Sequence, residues 1–567
     1  MTDMRKSENW KKAGKETTIL EVVERNTGIN IIDFLNPERK PYIKGLDEAV
    51  GFIKEHDEII VVGDYDADGV TSSAILYMLF KWLGKKVHIY IPKRFTDGYG
   101  ISQGIIDRIP RGAIMTIDNG IAAVEAIHNA QEKGLDIFVV DHHLKRDDGM
   151  LPQCGILDPH VDYESEFEDY CGAGLAYRIA QEMCDDEELL KKCLILASIG
   201  TVADVVPLYG DNRNIVKDGL EAINEGKATL GLQVLIDALG LEEINEGDYG
   251  FKLGPIINAS GRLQDNGPME VLRLLVYDPE ITNPTDEKKY KAIAGNMAQV
   301  LINRNNERKD MVSREMDLIR PLIDENQSVK VVYHEALSQG IIGILAGKIS
   351  EETHCPAIVF TDDKNGILKG SGRSETEHLK FLLDKVSAHI LKYGGHEGAA
   401  GLSIKKEELD KFTEAVNSLV AMPHLDATVP VYDLEIDKED IEKTIKELSF
   451  YAPYGQGNPQ IRFLVKGIEM TPQYDGSMYR SLGQNGEHLK LKSGNVDYLL
   501  FDMMNQYEED GFPDKIDCIG TPGYHVFRGK NYPQMEVVVY APAKEVAVTP
   551  TEEKSMDDYL ASLLLYY

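Results

Sequence analysis

The chain of 567 residues is too long for one hydrophobic core, and its length indicates three or four domains. Its formal charge of −33 at pH 7 argues against a generic nucleic-acid binder. The negative net charge does not exclude DNA as a substrate, because phosphates bind to local basic patches and to bound cations. No apolar run approaches the roughly 20 residues of a transmembrane helix, and residues 1–15 lack a signal-peptide core. The six cysteines form no CxxC pair, which argues against a disulfide framework and a structural zinc site. This predicts that the protein is located in the reducing cytoplasm.

From about residue 57, short apolar runs alternate with helical stretches, which predicts a parallel sheet with helices on both faces. The predicted strands are Glu58–Val62, Val87–Ile91, Ala113–Ile117 and Ile137–Val140. A helix is predicted after the first strand, from Thr71 to Leu83. Ligands of such folds bind outside the carboxyl ends of the strands, so we expect the functional site at that edge.

The rest of the chain predicts a long helix and two further bodies. The stretch from Pro284 to Leu322 is polar, charged and nearly free of helix breakers, which predicts a helix linking two bodies. A second α/β block is predicted over 329–420, with strands at Val329–Tyr333 and Ala357–Phe360. After Pro430, apolar and β-branched runs predict a small barrel with strands Val431–Glu435, Arg462–Met470, His488–Lys492, Tyr498–Phe501 and Met535–Tyr540.

The strongest local signal is the segment VVGDYDADGVTSS at residues 61–73. It places three carboxylates, Asp64, Asp66 and Asp68, at alternating positions directly after a buried strand. Crowding like charges there is costly unless cations neutralise them. A solvated acidic turn is the plain alternative, and an EF-hand-like calcium loop is another. The calcium loop is disfavoured because the later bidentate Glu is missing at the required offset.

Further acidic and imidazole side chains follow other predicted elements. Asp118 follows Ala113–Ile117, and Asp141, His142 and His143 follow the strand that ends at Val140. Asp204 lies in the apolar stretch ASIGTVADVVPL, where a lone carboxylate is expensive. A single buried Asp is more often hydrogen-bonded than metal-bound, and adjacent histidines are often surface residues. Several sites of the same chemistry, with no thiolate, favour Mn²⁺ or Mg²⁺. Two such ions about 4 Å apart can activate a water for in-line attack on phosphorus.

The segments GDYDADG, IDNG, DHH and VADVVPL resemble the four ordered motifs of the DHH phosphoesterase family. The resemblance implies the metal ligands Asp66, Asp68, Asp118, His142 and Asp204. It also implies two catalytic roles. His143 would be a ligand or a contact to the scissile phosphate, and Asp64 would lie beside the ligands or act on the metal-bound water.

Other segments resemble those of RecJ exonucleases, a branch of this family: CGAGLAYRIA, GPIINASGRL, GSGRS and GGHEGAAG. In that context Arg262 and Arg373 are candidates for bidentate phosphate contacts, with Ser371 beside them. The glycines around His396, Gly395 among them, allow backbone amides to approach an anion. A flexible turn before a helix is the plain alternative for GGHEGAAG taken alone.

One stretch departs from the family pattern. RecJ proteins usually have Trp-His-x-Gly before an apolar run, whereas this chain has Leu337-Ser338-Gln339-Gly340. Any contact made by that histidine is absent here or has moved to His334. We expect altered substrate handling rather than lost chemistry, because the metal motifs are complete.

The segment YAPYGQGNPQIRF, from Tyr451 to Phe463, resembles the entry into the RecJ OB-fold domain. Aromatic and basic residues alternate after it, as in surfaces that stack bases and contact the backbone of single-stranded DNA. These residues are His488, Lys490, Lys492, Phe527, Arg528, Lys530 and Tyr532. Individually they are as consistent with barrel core and solvated strand faces.

The resemblance spans about residues 45–545 and implies an α/β fold: a parallel-sheet DHH domain, a long helix, a smaller α/β DHH-associated domain and a C-terminal OB-like β-barrel. The expected parts are an N-terminal extension (1–50), DHH domain (51–283), connecting helix (284–327), DHH-associated domain (328–427), OB-like domain (428–548) and acidic tail (549–567).

The function implied by the resemblance is a two-metal, single-stranded-DNA-specific 5′→3′ exonuclease that releases 5′-mononucleotides in DNA repair or recombination. A single-stranded-DNA-binding protein or a helicase is a possible partner, and no membrane is expected. Two alternatives remain open: a phosphodiesterase of short oligonucleotides or cyclic dinucleotides, and a non-catalytic replication protein on a DHH core. The OB-like segment argues against the first, and the complete metal motifs argue against the second.

Overall fold

A computed structural model of the chain describes residues 6–146, 148–161, 164–278, 287–363, 366–395, 397–421, 429–483 and 485–543. The chain divides into two compact units. The larger unit comprises residues 23–425 and 451–460, and the smaller comprises residues 1–22, 426–450 and 461–567. Two predicted features, His396 and the acidic tail 549–567, lie outside the described residues.

The amino-terminal part of the chain forms strand β1 (Lys11–Lys12) and helices α1 (Ile19–Thr27), α2 (Ile31–Leu35) and α3 (Leu46–Glu55). Helix α3 buries Leu46, Phe52 and Ile53 in the hydrophobic core of the first domain. Residues 6–22, by contrast, fall in the smaller unit. The predicted boundary at residue 50 stays a prediction.

The first domain is built on a parallel sheet, as predicted, but the sheet has five strands, of which the last, Gly155–Leu157, was not predicted. Its strands are β2 (Glu58–Val62), β3 (Lys86–Tyr90), β4 (Ala113–Ile117), β5 (Asp136–Val140) and β6 (Gly155–Leu157), in the spatial order β3-β2-β4-β5-β6. Helices α4 (Ala67–Trp82), α5 (Gln103–Ile106) and α6 (Val124–Glu132) alternate with them. The helix predicted from Thr71 begins four residues earlier, because the side chain of Asp66 caps it by accepting a hydrogen bond from Gly69 N.

A helical layer completes this domain. It consists of α7 (Gly172–Met183), α8 (Glu187–Ala203), α9 (Gly210–Asn224), α10 (Leu230–Leu239), α11 (Glu246–Asp248), a π-helical turn (Tyr249–Leu253), α12 (Gly254–Leu263) and α13 (Gly267–Leu275). Helix α4 packs against α7 and α8 and is buried over nearly all of its length. Apolar and small residues therefore occur on all sides of this helix.

The predicted long helix is α14 (Glu287–Ile319), a run of 33 residues and so about 50 Å long. Arg304 ties it to the first domain by donating to Glu270 at 2.8 Å and to Gln264 at 2.9 Å. Nearer its end, Val312 and Met316 pack into the core of the next domain. One rigid element thus contacts both domains.

The second domain contains β7 (Lys330–Tyr333), α15 (Ile342–Thr353), β8 (Ala357–Asp362), β9 (Ile367–Arg373), α16 (Leu379–Lys385), β10 (Lys392–Gly395), β11 (Ala399–Lys405) and α17 (Leu409–Asn417). The sheet order is β10-β11-β9-β8-β7, in which β7 and β8 pair in parallel and the other neighbours are antiparallel. Both strands predicted for this block are present.

The smaller unit contains a seven-stranded sheet in the order β13-β14-β18-β19-β17-β16-β15. Its elements are β12 (Val431–Tyr432), β13 (Leu434–Glu435), α18 (Ile441–Leu448), β14 (Phe463–Glu469), β15 (Tyr479–Leu482), β16 (His488–Ser493), β17 (Val496–Leu500), α19 (Met504–Glu509), β18 (Lys515–Phe527) and β19 (Lys530–Pro542). Strand β1 pairs in parallel with β12. Two strands, β15 and β18, were not predicted. Strand β15 is a short run, YRSL, with polar residues in the middle, and glycine and proline interrupt the alternation of β18.

Short 3₁₀ turns complete the described secondary structure: Ser7–Asn9, Arg320–Leu322, Ser387–His389, Lys406–Glu408 and Lys438–Asp440. Within the described ranges, every helix is too short or too polar to span a lipid bilayer.

Candidate active site

The three aspartates of the first motif lie at the carboxyl edge of the parallel sheet, between β2 and α4. Asp64 and Asp68 are buried, with 2% and 1% of their surface exposed. Asp68 accepts hydrogen bonds from Gly172 N at 2.6 Å and Ala173 N at 2.8 Å. These two amides form the amino terminus of α7, where the helix dipole favours a negative charge.

Three later motifs converge on the first. Asp118 follows β4 with φ of 63°, a left-handed conformation that Asp tolerates, and Asp204 is the C-cap of α8. His142 follows β5, and its Nε2 lies 3.1 Å from Asp118 Oδ1. The same nitrogen is 3.7 Å from Asp68 Oδ2 and 3.7 Å from Asp204 Oδ2. Side chains from four separate chain segments therefore converge around His142 Nε2.

The converging side chains form three overlapping groups whose ligand atoms lie within 4.8 Å of one another: Asp64–Asp66–Asp118, Asp68–His142–Asp204 and Asp118–His142–His143. Asp64 Oδ1 is buried and has no hydrogen-bond partner, which is costly for a carboxylate unless a cation meets it. Oxygen and imidazole donors without a thiolate suit Mn²⁺ and Mg²⁺. The residues present therefore fit a pair of divalent cations.

Burial and mutual repulsion shift the acidity of this cluster. Burial, together with neighbouring aspartates, raises the pKa of Asp64, Asp118 and Asp204 well above the usual value and that of Asp68 to about 6. Burial also lowers the pKa of His142 to about 3, so this imidazole is neutral and free to act as a ligand.

His143 differs from its neighbour because it is paired with a carboxylate. Its Nδ1 lies 2.7 Å from Asp141 Oδ1, and Asp141 also accepts from Ile121 N at 2.9 Å. Burial opposes the charge of His143, but the hydrogen bond to Asp141 outweighs it and raises the pKa to about 9. Tyr99 Oη lies 3.2 Å from His143 Nε2 and 3.4 Å from Nδ1. The imidazolium is thus oriented between Asp141 and Tyr99.

A cluster of arginines lies beside the aspartates and is formed by both domains of the larger unit. Burial, followed by the charges of Arg94, Arg373 and Arg308, lowers the pKa of Arg262 to about 10. Arg373 on β9 donates to Ser371 Oγ at 3.2 Å, and burial with Arg94 lowers its pKa as well. We name Arg94, Arg262, Arg308 and Arg373 the arginine cluster.

The two domains approach each other closely at this cluster. A Cβ atom on Gly340 would lie 1.8 Å from the carbonyl oxygen of Arg262, so only glycine permits the approach. Ser338, at the position of the missing family histidine, donates to Glu315 Oε1 on α14 at 2.7 Å. The imidazole of His334 accepts from Ala336 N at 3.1 Å and so closes a local turn.

Comparison with known proteins follows the same domain order. The family model of the DHH family, N-terminal domain, matches residues 58–201, the DHHA1 domain matches residues 326–422, and the RecJ OB domain matches residues 432–538. The single-stranded-DNA-specific exonuclease RecJ of Salmonella typhimurium is 32% identical over 490 residues, which cover 79% of this chain and 81% of that protein. The chain belongs to the RecJ family.

Two further RecJ proteins extend the comparison. The single-stranded-DNA-specific exonuclease RecJ of Bacillus subtilis is 31% identical over 532 residues, which cover 89% of this chain but 64% of that longer protein. The crystal structure of RecJ from Thermus thermophilus in complex with Mn²⁺ superposes with a TM-score of 0.74 at 25% identity, covering 93% of this chain and 76% of that one. The same protein in complex with Mg²⁺ gives a TM-score of 0.69. The predicted family and fold class are confirmed.

The DNA-binding residues predicted in the smaller unit fall on two strand pairs. His525 pairs with Tyr532 and Phe527 with Lys530 across β18 and β19, and the Arg528 guanidinium lies 5.1 Å from the Phe527 ring centre. Phe527 and Tyr532 are 51% and 42% exposed. On β16 and β17, Lys490 forms an ion pair with Asp497 at 2.6 Å, so part of its charge is neutralised. Lys492 and His488 lie on the same strand, β16.

The sequence reasoning did not single out Arg94, Tyr99 or Arg308. Arg94 and Tyr99 lie in the segment KRFTDGYG, which follows β3 at the carboxyl edge of the sheet. The strand-end rule that identified Asp118 would also have flagged this segment. Arg308 had no such signal, because it is one of many charged residues on a long polar helix.

Proposed function

We propose that this RecJ-family chain is a metal-dependent exonuclease that degrades single-stranded DNA from the 5′ end and releases 5′-mononucleotides. The observation that supports the proposal best is the convergence of five aspartates and two histidines beside a cluster of four arginines. Such a site combines donors for divalent cations with donors for phosphate. The polarity and the product follow from the family resemblance.

The cations would be held by Asp66, Asp68, Asp118, His142 and Asp204, with Asp64 beside them. When bound, two Mn²⁺ or Mg²⁺ ions would activate a water and stabilise the charge that develops at the phosphorus. The helix amino termini that donate to Asp66 and Asp68 keep these two carboxylates oriented before the cations arrive.

Asp64 and His143 are proposed as the catalytic side chains. Asp64 Oδ1 has no hydrogen-bond partner and a raised pKa, so it can accept the proton of the attacking water. His143 keeps both ring protons at neutral pH, because its pKa is about 9. Asp141 accepts the Nδ1 proton, so the Nε2 proton, which lies near Tyr99 Oη, is the one that can be donated to the scissile phosphate.

The phosphate-binding residues are proposed to be Arg262, Ser371 and Arg373, with Arg94 and Arg308 added from the structure. Neighbouring guanidinium groups destabilise the charged forms of Arg262 and Arg373, so a bound phosphate would relieve this repulsion. Gly395 ends β10 with φ of 144°, and a Cβ there would lie 2.3 Å from the carbonyl oxygen of Ala399, so only glycine fits. Its place in the proposal rests on the family resemblance. His396 remains in the proposal on the family resemblance.

The smaller unit is proposed to hold the rest of the strand. Phe527 and Tyr532 offer exposed rings for base stacking, and Arg528, Lys530, Lys490 and Lys492 offer positive charge for the backbone. We also propose a cytoplasmic enzyme of DNA repair or recombination, working with a single-stranded-DNA-binding protein or a helicase. The six cysteines are all free, which suits a reducing compartment.

A degradation assay with 5′- and 3′-end-labelled single-stranded DNA, with and without Mn²⁺, tests the proposal. The wild-type chain should release the 5′ label first as a mononucleotide, and Asp118→Ala and His142→Ala should abolish this while circular dichroism stays unchanged. Undiminished digestion by either variant would contradict the proposal. Turnover of dinucleotides alone, or binding without hydrolysis, would favour the two alternatives.

A further inference from the structure

The π-helical turn Tyr249–Leu253 presents one aromatic ring to solvent. Phe251 is 84% exposed, the highest value for an aromatic side chain among the described residues of the larger unit. Its neighbours Tyr249 and Leu253 are fully buried. The ring is thus exposed from a turn that is anchored on both sides, and short π-helical turns are frequent at functional sites.

The anchored turn rests on the end of α8, which leads into the metal cluster. Tyr249 Oη lies 3.2 Å from Ser198 Oγ on α8. A Cβ on Gly250 would contact Val202 at 3.7 Å, and one on Gly254 would lie 3.1 Å from the Cβ of Ala203. The next residue along the chain is Asp204, so the turn that carries Phe251 packs against the end of the helix that precedes this predicted ligand.

Helix α12, which continues from the turn, runs along the metal cluster. After Gly254, which faces Ala203, comes Asn258, whose Oδ1 accepts a hydrogen bond from Ala67 N at 2.9 Å. One turn later, Gly261 lies against the carbonyl oxygen of Tyr65, where a Cβ would come within 2.5 Å. Ala67 and Tyr65 flank Asp66, and the helix ends beside Arg262 of the arginine cluster. The exposed ring and the guanidinium therefore lie at opposite ends of α12.

The spacing between these two ends suits an extended strand. Phe251 and Arg262 are eleven residues apart, which corresponds to about 16 Å along a helix. That distance spans several nucleotides, with the metal cluster between the two ends. Directly after Asp204, Val205 adds a second apolar side chain that is 64% exposed and has φ of 62°. A β-branched residue in the left-handed region is strained, and such strain persists mainly at functional sites.

We propose that Phe251 stacks on a nucleobase of the substrate strand, on the side of the metal cluster opposite the arginine cluster. This inference rests on the proposed function and adds a binding position to it. Stacking needs an unpaired base but no particular base, because every base has a π-face. Phe251 would therefore contribute to strand selectivity: a base in a duplex is already stacked and cannot present its face to the ring.

The test compares Phe251→Ala and Phe251→Trp with Trp82→Ala. Trp82 is a matched control because it is exposed in the same domain, at the far end of α4 from the metal cluster. Substrates are 5′-labelled single strands, either intact or with one abasic site placed at successive positions from the 5′ end. We expect Phe251→Ala to lower kcat/KM on the intact strand about tenfold, whereas Phe251→Trp and Trp82→Ala stay near wild type.

The abasic series separates stacking from a structural role. At one position, the abasic site should lower the wild-type rate about as much as Phe251→Ala does, and it should have no further effect on that variant. A loss that is equal on every substrate, or no loss relative to Trp82→Ala, would overturn the proposal.

A binding measurement keeps the inference distinguishable from the proposed function. Strands carrying 2-aminopurine at the same position are mixed with the protein in EDTA, so that no cleavage occurs. Wild type should quench the fluorescence and Phe251→Ala should not. Quenching by a wild-type protein that has no nuclease activity would sink the proposed function alone. Equal quenching by both proteins would sink the inference alone.

Discussion

The larger unit holds two clusters of like charge side by side, and they differ in how they can relieve their repulsion. Burial raises the pKa of Asp64, Asp118 and Asp204, whereas burial lowers the pKa of Arg262, Arg308 and Arg373. The raised pKa means that these aspartates bind a proton more readily than ordinary carboxylates do, but the arginines stay charged at any physiological pH. The first cluster therefore needs cations, and the second needs an anion.

The two clusters also differ in how the fold builds them. The aspartates come from one domain, where adjacent parallel strands end at the same edge. The arginines come from both domains and from α14, so they form a cluster only when the domains are docked at Gly340. In the proposed function the two clusters would act together: the scissile phosphate would contact the cations, and the neighbouring phosphates would contact the guanidinium groups.

The largest effect is expected from Asp64→Asn, which removes one charge of the acidic cluster without changing its size. Loss of a proton acceptor should lower kcat about 10³-fold. In metal-free protein the same change should raise the melting temperature at pH 8, because the raised pKa of Asp64 means that its ionised form destabilises the fold. That penalty appears only above the unfolded-state pKa of about 4, so the gain should disappear near pH 4.

The control for this variant is Asp136→Asn, at the opposite end of the sheet, where the carboxylate is 62% exposed and lies 3.1 Å from His56. Asp136→Asn should change the melting temperature only slightly. This change should not increase between pH 4 and pH 8, whereas that of Asp64→Asn should. A metal-free Asp64→Asn protein that is less stable than wild type at pH 8 would show that the acidic cluster carries no repulsion.

Replacement of Arg262 tests the second cluster and is expected to have the next largest effect. Arg262→Ala should raise KM for single-stranded DNA up to about 10²-fold, the usual cost of losing a hydrogen bond to a charged group. Arg262→Lys should recover only part of the affinity, because an ammonium lacks the bidentate fork of a guanidinium. Steady-state kinetics at several salt concentrations measure both effects.

An exposed arginine serves as the control for Arg262. Arg39 pairs with Asp218 on the surface at 2.5 Å, and Arg39→Ala should leave KM unchanged. A variant of Arg262 that lowers kcat and leaves KM at the wild-type value would place this residue with the chemistry rather than with phosphate binding.

The sequence alone was enough to predict the acidic cluster of the first domain and the strands that position it. Asp64, Asp118 and His142 each follow a strand of the predicted sheet, so one rule about parallel sheets was enough to place them together. Asp204 follows a helix, and the family motif rather than the strand pattern identified it. Because β4 and most of β2 and β5 are buried on both faces, their apolar runs gave correct or nearly correct bounds.

The parts that were missed depend on contacts between distant segments. Arg308 joins the arginine cluster only because α14 passes between the two domains, and no local pattern on a polar helix reveals that. Phe251, which precedes GPIINASGRL, was not singled out from the sequence, because no local pattern indicates that it is exposed on a π-helical turn. In the smaller unit, β18 was missed because glycine and proline interrupt its alternation.

The smallest effect is expected from a substitution in the segment Tyr451–Gln460. This segment contacts residues just after Asp204, so the substitution should affect the acidic cluster and not the arginine cluster. Leu208 N donates to Gln456 O at 2.7 Å, and a Cβ on Gly457 would lie 3.0 Å from the Tyr209 ring and 3.1 Å from Pro207. These residues follow Asp204 within five positions, so Gly457→Ala should displace the turn that orients this predicted ligand. We expect the Mn²⁺ concentration for half-maximal activity to rise up to about tenfold, with KM for DNA unchanged.

Gly240→Ala is the matched control for Gly457→Ala, because its φ of 66° imposes similar backbone strain while no atom lies within 4 Å of the added Cβ. It should lower the melting temperature without moving the Mn²⁺ midpoint. If both variants lower the melting temperature equally and neither changes the Mn²⁺ midpoint, the segment Tyr451–Gln460 stabilises the fold and has no effect on the metal site. A rise in KM for DNA in Gly457→Ala would mean that the two clusters respond together, because a disturbance near Asp204 would then reach the arginines through α12.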